Sequence, residues 1–197
     1  MHHAESQISY QERPLTRKSM ALIQHSSESA EWYTPSWLVD ICRAILGGID
    51  LDPCSSAIAN ETIKAKKFYA LPDDGLAHPW HGSVFINPPG GRGRKSLARA
   101  YWGKLLRDIE EVEQEPITHA IYLAFNLEML RTSQQCAKSL LEFPTCIFQH
   151  RIAYVRPDGT TGRGGPSHPS AITYVPGTVD ATPKFISHMQ NHGVIIV

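Results

Sequence analysis

"GSVFINPP", residues 82–89, is an apolar run without alternation that ends at Asn87-Pro88-Pro89. A strand with one wet face alternates apolar and polar residues. A run that does not alternate suits a strand covered on both faces, as in a parallel sheet. The two prolines lock φ and remove donors, and the glycines and basic residues of "GGRGRKS" (90–96) follow directly. Such an ending is either an ordinary turn or a rigid holder that fixes Asn87 and the neighbouring carbonyls in front of a reacting group.

Working outward, "GIDLDPCSS" (48–56) reads as a short strand through Ile49 and Leu51 that stops at Asp52-Pro53. "IKAKKFYAL" (63–71) reads as a second strand, closed by the turn "PDDG" (72–75). On the other side, residues 96–113 give a helix whose Leu97, Tyr101, Leu105, Ile109 and Val112 share one face. "ITHAIYLAFN" (117–126) is a further strand, and "LEMLRTSQQCAKSLLEF" (127–143) a helix stopped by Pro144. "TCIFQHRIAYV" (145–155) and "SAITYVPG" (170–177) read as strands flanking the loop "RPDGTTGRGGPSHP" (156–169). Before the first strand, Thr34 is placed to cap a helix, Pro35 suits its first turn, and Gly47-Gly48 end it. Leu38, Ile41, Ile45 and Leu46 keep helical spacing. Alternating helices and buried strands predict an α/β fold with a mostly parallel sheet and an antiparallel edge. Residues 1–30 are polar and aperiodic, which predicts a flexible arm before a single domain over 31–197.

The chain has 197 residues, with 19 basic and 19 acidic side chains, so no global charge excess selects a nucleic-acid partner. Any such surface must be a local patch, because screening confines it to about 8–10 Å. Cys42, Cys54, Cys136 and Cys146 form no CxxC pair and read as reduced intracellular thiols. No run approaches the roughly 20 apolar residues of a membrane span. His78 and His81 flank Pro79 without an acidic ligand beside them, so no metal is expected. "GGRGRKS" is not a P-loop, since Arg94 precedes Lys95-Ser96 where that motif needs glycine. Gly91, Gly93 and Ser96 fail the dinucleotide fingerprint in the same way.

Ligands of open α/β sheets bind beyond the carboxyl ends of the strands. Three unusual loops are expected there: Asp52-Pro53-Cys54-Ser55, Asp73-Asp74-Gly75 and Asn87-Pro88-Pro89. An Asn-Pro-Pro tripeptide alone arises by chance in roughly one chain of this length in fifty, so its company matters more than its presence.

In that company, "EWYTP" (31–35), "IDLDPCSS" (49–56), "DDGL" (73–76) and "NPP" (87–89) resemble, in order, the phage-type DNA N6-adenine methyltransferases. More broadly they resemble the S-adenosylmethionine-dependent amino methyltransferases. The resemblance covers about residues 31–177 and implies a Rossmann-like methyltransferase fold with S-adenosylmethionine as methyl donor, acting on DNA in a bacterial cytoplasm. It implies that Trp32, Tyr33, Thr34 and Pro35 lie by the donor's methionine end, and that Asp52, with Pro53, holds its amino group. Asp74 would meet the adenine amine with Leu76 packed nearby, and Asn87, Pro88 and Pro89 would hold the target amine. Arg92, Arg94, Lys95, Arg99, Arg151 and Arg163 are the expected DNA contacts.

The chemistry fits an exocyclic amine. Its lone pair is delocalised into the ring, and two acceptors, Asn87 Oδ1 and the Pro88 carbonyl, would favour a tetrahedral nitrogen and stabilise the charge that grows on it. The base must be flipped out or already single-stranded. Adenine N6 and cytosine N4 are both served by this logic. The departure is Gly90, where family motifs carry an aromatic that stacks on the base. Trp32 with Tyr33 is the expected substitute, ahead of Tyr101, Trp102, Tyr154 or His168. The competing reading is a degenerate, non-catalytic scaffold that binds DNA or the donor.

Overall fold

The structure, a computed structural model, describes residues 32–89, 97–111, 114–156, 158–161 and 168–197. The expected N-terminal arm, Gly90, Arg92, Arg94, Lys95, Val112 and Arg163 lie outside the described residues.

The described chain runs α1 (Ser36–Leu46), β1 (Leu51–Asp52), α2 (Ala57–Ile63), β2 (Lys67–Phe68), β3 (Gly82–Ile86), α3 (Leu97–Glu111) and β4 (Ile117–Ala124). It continues through α4 (Glu128–Thr132), β5 (Thr145–Phe148), β6 (Ala171–Pro176), α5 (Thr182–Met189) and β7 (Gly193–Ile196). Seven strands form one sheet in the order β2-β1-β3-β4-β6-β5-β7. The first four are mutually parallel. β6 is antiparallel to both β4 and β5, so β5 again points with the parallel set, and β7 runs against it. The fold is α/β with a parallel core and an antiparallel edge.

The non-alternating strands are buried on both faces. Phe85, Ile121 and Leu123 face one layer with Leu38, Val39, Cys42 and Ile45 of α1, Ile63 of α2, and Phe185 and Met189 of α5. Val84, Ile86, Ala120 and Tyr122 face the other, with Tyr101, Trp102 and Leu105 of α3 and Met129 of α4. The period of two along β3 and β4 thus divides one apolar run between two cores.

α1 ends as expected: Gly47 takes the left-handed conformation (φ 71°) and its N–H donates to the Arg43 carbonyl. Its start differs. Pro35 is the N-cap, with no side-chain cap hydrogen bond, so Thr34 is not the capping residue. The expected strand 63–71 is also shorter. Ser56 Oγ accepts from Ala59 N–H and starts α2, and Arg43 Nη2 donates to the carbonyls of Thr62 and Ile63, leaving only Lys67–Phe68 to pair.

The helix expected over 127–143 breaks after Thr132. Ser133 Oγ accepts from Leu140 N–H, and a capping box between Ser139 and Glu142 begins a separate turn at Leu140. Short polar side chains there outcompete the helical ladder. β5 stops at Phe148, and residues 149–154 form a loop instead of the expected strand. α5 and β7 carry no strong signal. Asp180 Oδ1 accepts from Thr182 N–H and Pro183 occupies the first turn.

Candidate active site

Because β1 to β5 point the same way, apart from the segments that return, the loops after Asp52, Phe68, Ile86, Ala124 and Phe148 rise from one edge of the sheet. The chain leaves β1 toward β2 on one side and returns to β3 on the other. The β1/β3 boundary is therefore the switch point where a crevice forms.

Asp52 ends β1 and is 1 % exposed. Its Oδ1 accepts from Cys54 N–H at 3.1 Å. Burial pushes its pKa up to about 6, although the Cys54 N–H and the Ser55 and Cys54 side chains oppose the rise. Among the described residues no basic side chain contributes to its surroundings. Asp50, two residues earlier, shows what pairing does. Burial resists its ionisation too, but Lys66 at 2.7 Å and the Ser83 N–H and hydroxyl outweigh that and lower it to about 2. Beside Asp52, Ser55 Oγ is buried and, among the described residues, meets only the Asp52 carboxylate, too loosely for a full hydrogen bond. A buried carboxylate and a loosely held hydroxyl, with no cation among the described residues, share one loop.

The neighbouring loops close on that one. Gly75 lies so near the Pro53 backbone that a Cβ there would stand 1.8 Å from the Pro53 carbonyl oxygen. Tyr101 Oη donates to the same carbonyl at 3.3 Å, and Trp80 Nε1 donates to the Gly75 carbonyl at 2.7 Å. Asp74 is half-buried, and its Oδ1 accepts from Leu76 N–H at 3.0 Å. Asp74 and Asp52 both lie close enough to raise the Tyr101 hydroxyl, whose shift comes first from burial. Thus the loops that carry Asp52-Pro53 and Asp74–Leu76 lie against each other. Gly75→Ala is expected to cost about 3 kcal/mol of stability, because the clash is with backbone that cannot rotate away. Urea denaturation measures it, and an unchanged midpoint would refute the tight approach.

Asn87 follows β3, with Pro88 buried and Pro89 exposed. Its Nδ2 donates to Thr34 Oγ1 at 3.1 Å. Its backbone N–H acts on the Cys54 thiol, which burial first and the Asp52 charge second raise well above its usual pKa. Thr34 is 4 % exposed, and its neighbour Tyr33 spans the rim. Tyr33 Oη accepts from Ser56 Oγ at 3.4 Å, while its N–H and carbonyl pair with Val155 at 2.7 and 2.9 Å. Pro35 is buried behind them. With Nδ2 committed to Thr34, the Asn87 carboxamide presents Oδ1 as its remaining acceptor. Thr34→Val keeps the shape but removes the oxygen. It is expected to cost about 1 kcal/mol of stability, read by urea denaturation; an unchanged midpoint would make the contact incidental.

The rings divide clearly. Trp102 is fully buried between Tyr122 and Phe143, and Tyr101 is committed to Pro53, so neither reaches the rim as a free face. Trp32 is 38 % exposed and lies under the Arg156 guanidinium, 5.1 Å from its centre. Tyr154 Oη donates to Ser170 Oγ at 3.3 Å. His168 meets Phe125 edge-on at 6.3 Å, and Ser170 Oγ donates to the Phe125 carbonyl at 3.0 Å. Phe125, at the end of β4, was not singled out by sequence reading; its position directly after a buried strand was the available signal.

Arg99 lies on the first turn of α3, exposed, and its Nη1 donates to Gln135 Oε1 at 2.5 Å. Arg151 is exposed on the loop after β5, far along the rim from Asn87. Among the described residues no three His, Cys, Asp or Glu side chains gather as a metal site, and no helix is long and apolar enough to cross a membrane. Comparison with protein-family models, curated proteins and solved structures returned no match.

Proposed function

We propose that this protein is an S-adenosylmethionine-dependent methyltransferase of exocyclic amines in DNA, with adenine N6 as the acceptor. The observation that carries this is the pairing of two opposed features at one switch point. Asp52 is a buried carboxylate with no cation beside it among the described residues, and Asn87 is an amide whose acceptor end is aimed by Thr34. The first suits an ammonium; the second suits an amine. The strand order supports a Rossmann-like methyltransferase architecture, with β6 inserted antiparallel between the parallel β4 and β5.

The donor supplies an electrophilic methyl on a sulfonium. Around it, Asp52 would hold the ammonium of the methionine part, and Ser55 Oγ is a hydroxyl still able to bond there. Tyr33-Thr34-Pro35 close the rim from the other side. Asp74 sits where an adenine amine of the donor would be met, its Oδ2 left over from the Leu76 contact. Asn87 Oδ1 and the Pro88 carbonyl accept the two hydrogens of the target amine. They hold its lone pair toward the methyl, and proline prevents the pair of acceptors from relaxing apart.

Calorimetric titration with S-adenosylmethionine, beside mass analysis of nucleosides from the DNA of an expressing host, tests the reading. N6-methyldeoxyadenosine from that DNA and saturable donor binding are expected. Donor binding with no modified base would favour the degenerate scaffold, and N4-methylcytosine would move the acceptor to cytosine.

A further inference from the structure

Phe125 is the first residue after β4 and is half-buried. Among the described residues it packs into neither hydrophobic core, although Tyr122, Leu123 and Ala124 before it are all buried in one or the other. Its backbone is nevertheless held in place. The Phe125 carbonyl accepts from Ser170 Oγ at 3.0 Å, Ser170 is fully buried, and Leu127 N–H donates to the Pro169 carbonyl at 3.2 Å. His168 lies 6.3 Å away with its ring plane at 74° to that of Phe125, so these two rings do not stack flat.

The register locates this ring relative to Asn87. Ile86 of β3 pairs with Tyr122 of β4, so Asn87 falls beside Leu123, with Phe125 one pleat further out. With strands about 4.8 Å apart and about 3.3 Å per residue along them, the Asn87 and Phe125 Cα atoms stand about 8 Å apart. The period of two that puts Phe85, Ile121 and Leu123 in the α1 layer carries Asn87 and Phe125 to that same face. Asn87 obeys it, since its Nδ2 meets Thr34 just before α1.

Strand order then gives the ring a use. The sheet runs β1-β3-β4 here, so Asp52 lies on one side of Asn87 and Phe125 on the other. Tyr33, whose Oη accepts from Ser56 Oγ in the loop after β1, belongs to the Asp52 side. A methyl group passing from a donor held at β1 to an amine held at Asn87 leaves the rest of the acceptor base on the β4 side. An aromatic ring there offers the surface that an unstacked base takes. We propose that Phe125 is the ring on which the acceptor base stacks. The assignment rests on the methyltransferase reading of the same site.

The test is the affinity for a labelled hexadeoxyadenylate, followed by fluorescence anisotropy at one fixed salt concentration. S-adenosylhomocysteine is present in place of the methyl donor, so no methyl is transferred. Phe125→Leu keeps apolar bulk and loses the flat face; it is expected to weaken binding about 10-fold, and Phe125→Ala roughly 10- to 100-fold, while Phe125→Tyr keeps it within about 2-fold. An abasic hexanucleotide offers nothing to stack and should separate the four proteins little. Hexadeoxyadenylate affinity unchanged in Phe125→Leu would overturn the proposal. So would an equal loss on the abasic strand, or no binding by the intact protein. Urea denaturation checks each variant's fold, and if Phe125→Ala does not fold, Phe125→Leu decides. Donor binding and a modified base from the intact protein, with Phe125→Leu unchanged, would sink the stacking role alone. Absence of donor binding by the intact protein would sink the methyltransferase reading instead.

Discussion

Asn87→Ala is expected, on the proposed methyltransferase reading, to lower the methyl-transfer rate by about 10²- to 10³-fold while leaving S-adenosylmethionine affinity within a few-fold. The side chain is partly exposed at the end of β3, and its one hydrogen bond is to Thr34, so the fold draws little from it. What is lost is the Oδ1 acceptor for the amine hydrogen and the alignment that Thr34 imposes. Single-turnover methylation and calorimetric donor titration, run on the same preparation, separate the two effects. A variant that methylates at near the wild-type rate would refute the role of Asn87. A variant that loses donor affinity instead would place Asn87 in the donor site.

Asp52→Asn is expected to move stability and donor binding in opposite directions. Its pKa stands at about 6 in the fold against 3.8 ordinarily. A raised pKa means that Asp52's contribution to stability is present in full below about pH 3.8 and is lost as the pH rises through about 6. At neutral pH the ionised carboxylate therefore costs about 3 kcal/mol. Asparagine keeps an acceptor for the Cys54 N–H and carries no charge. The variant should be about 1–3 kcal/mol more stable at pH 7.5, with the gain vanishing near pH 4. Donor affinity should fall at least about 100-fold, because the charge-assisted hydrogen bond to an ammonium is gone. Urea denaturation at the two pH values and donor titration read both halves. Increased stability with unchanged donor affinity would reduce Asp52 to a strained turn residue. Decreased stability would reveal that the fold supplies a positive partner.

That opposition is why a carboxylate without a cationic partner among the described residues is informative. Asp50 and Asp52 are two residues apart, yet one is paired with Lys66 and Ser83 and the other, among the described residues, faces Cys54 and Ser55. A fold under no functional demand would have little reason to keep the second ionisable.

The amino-acid sequence by itself determined the class of fold and the membership of the rim. Non-alternating runs such as "GSVFI" and "IYLA" required cover on both faces, and strand ends rich in Asp, Asn, Pro and Gly required loops at the carboxyl edge. These are local signals, carried by neighbours in the chain. Tertiary structure decided what local signals do not encode. Thr34 looked like a helix cap and instead accepts a hydrogen bond from Asn87, because the start of α1 lies across the end of β3. The stretch 63–71 looked like one strand, but Ser56 and Arg43 fixed a helix before it. The helix expected over 127–143 was broken by Ser133 and Ser139, whose hydroxyls met partners six or seven residues away. Trp37 lies in the first turn of α1, and His192, just before β7, which carried no strong signal, stacks against it. For Thr34, Arg43 and Trp37 the deciding partner was distant in sequence, and only the fold brought it within hydrogen-bonding or stacking distance; for Ser56, Ser133 and Ser139 it lay a few residues away, in a competition between local hydrogen bonds that the apolar pattern does not record.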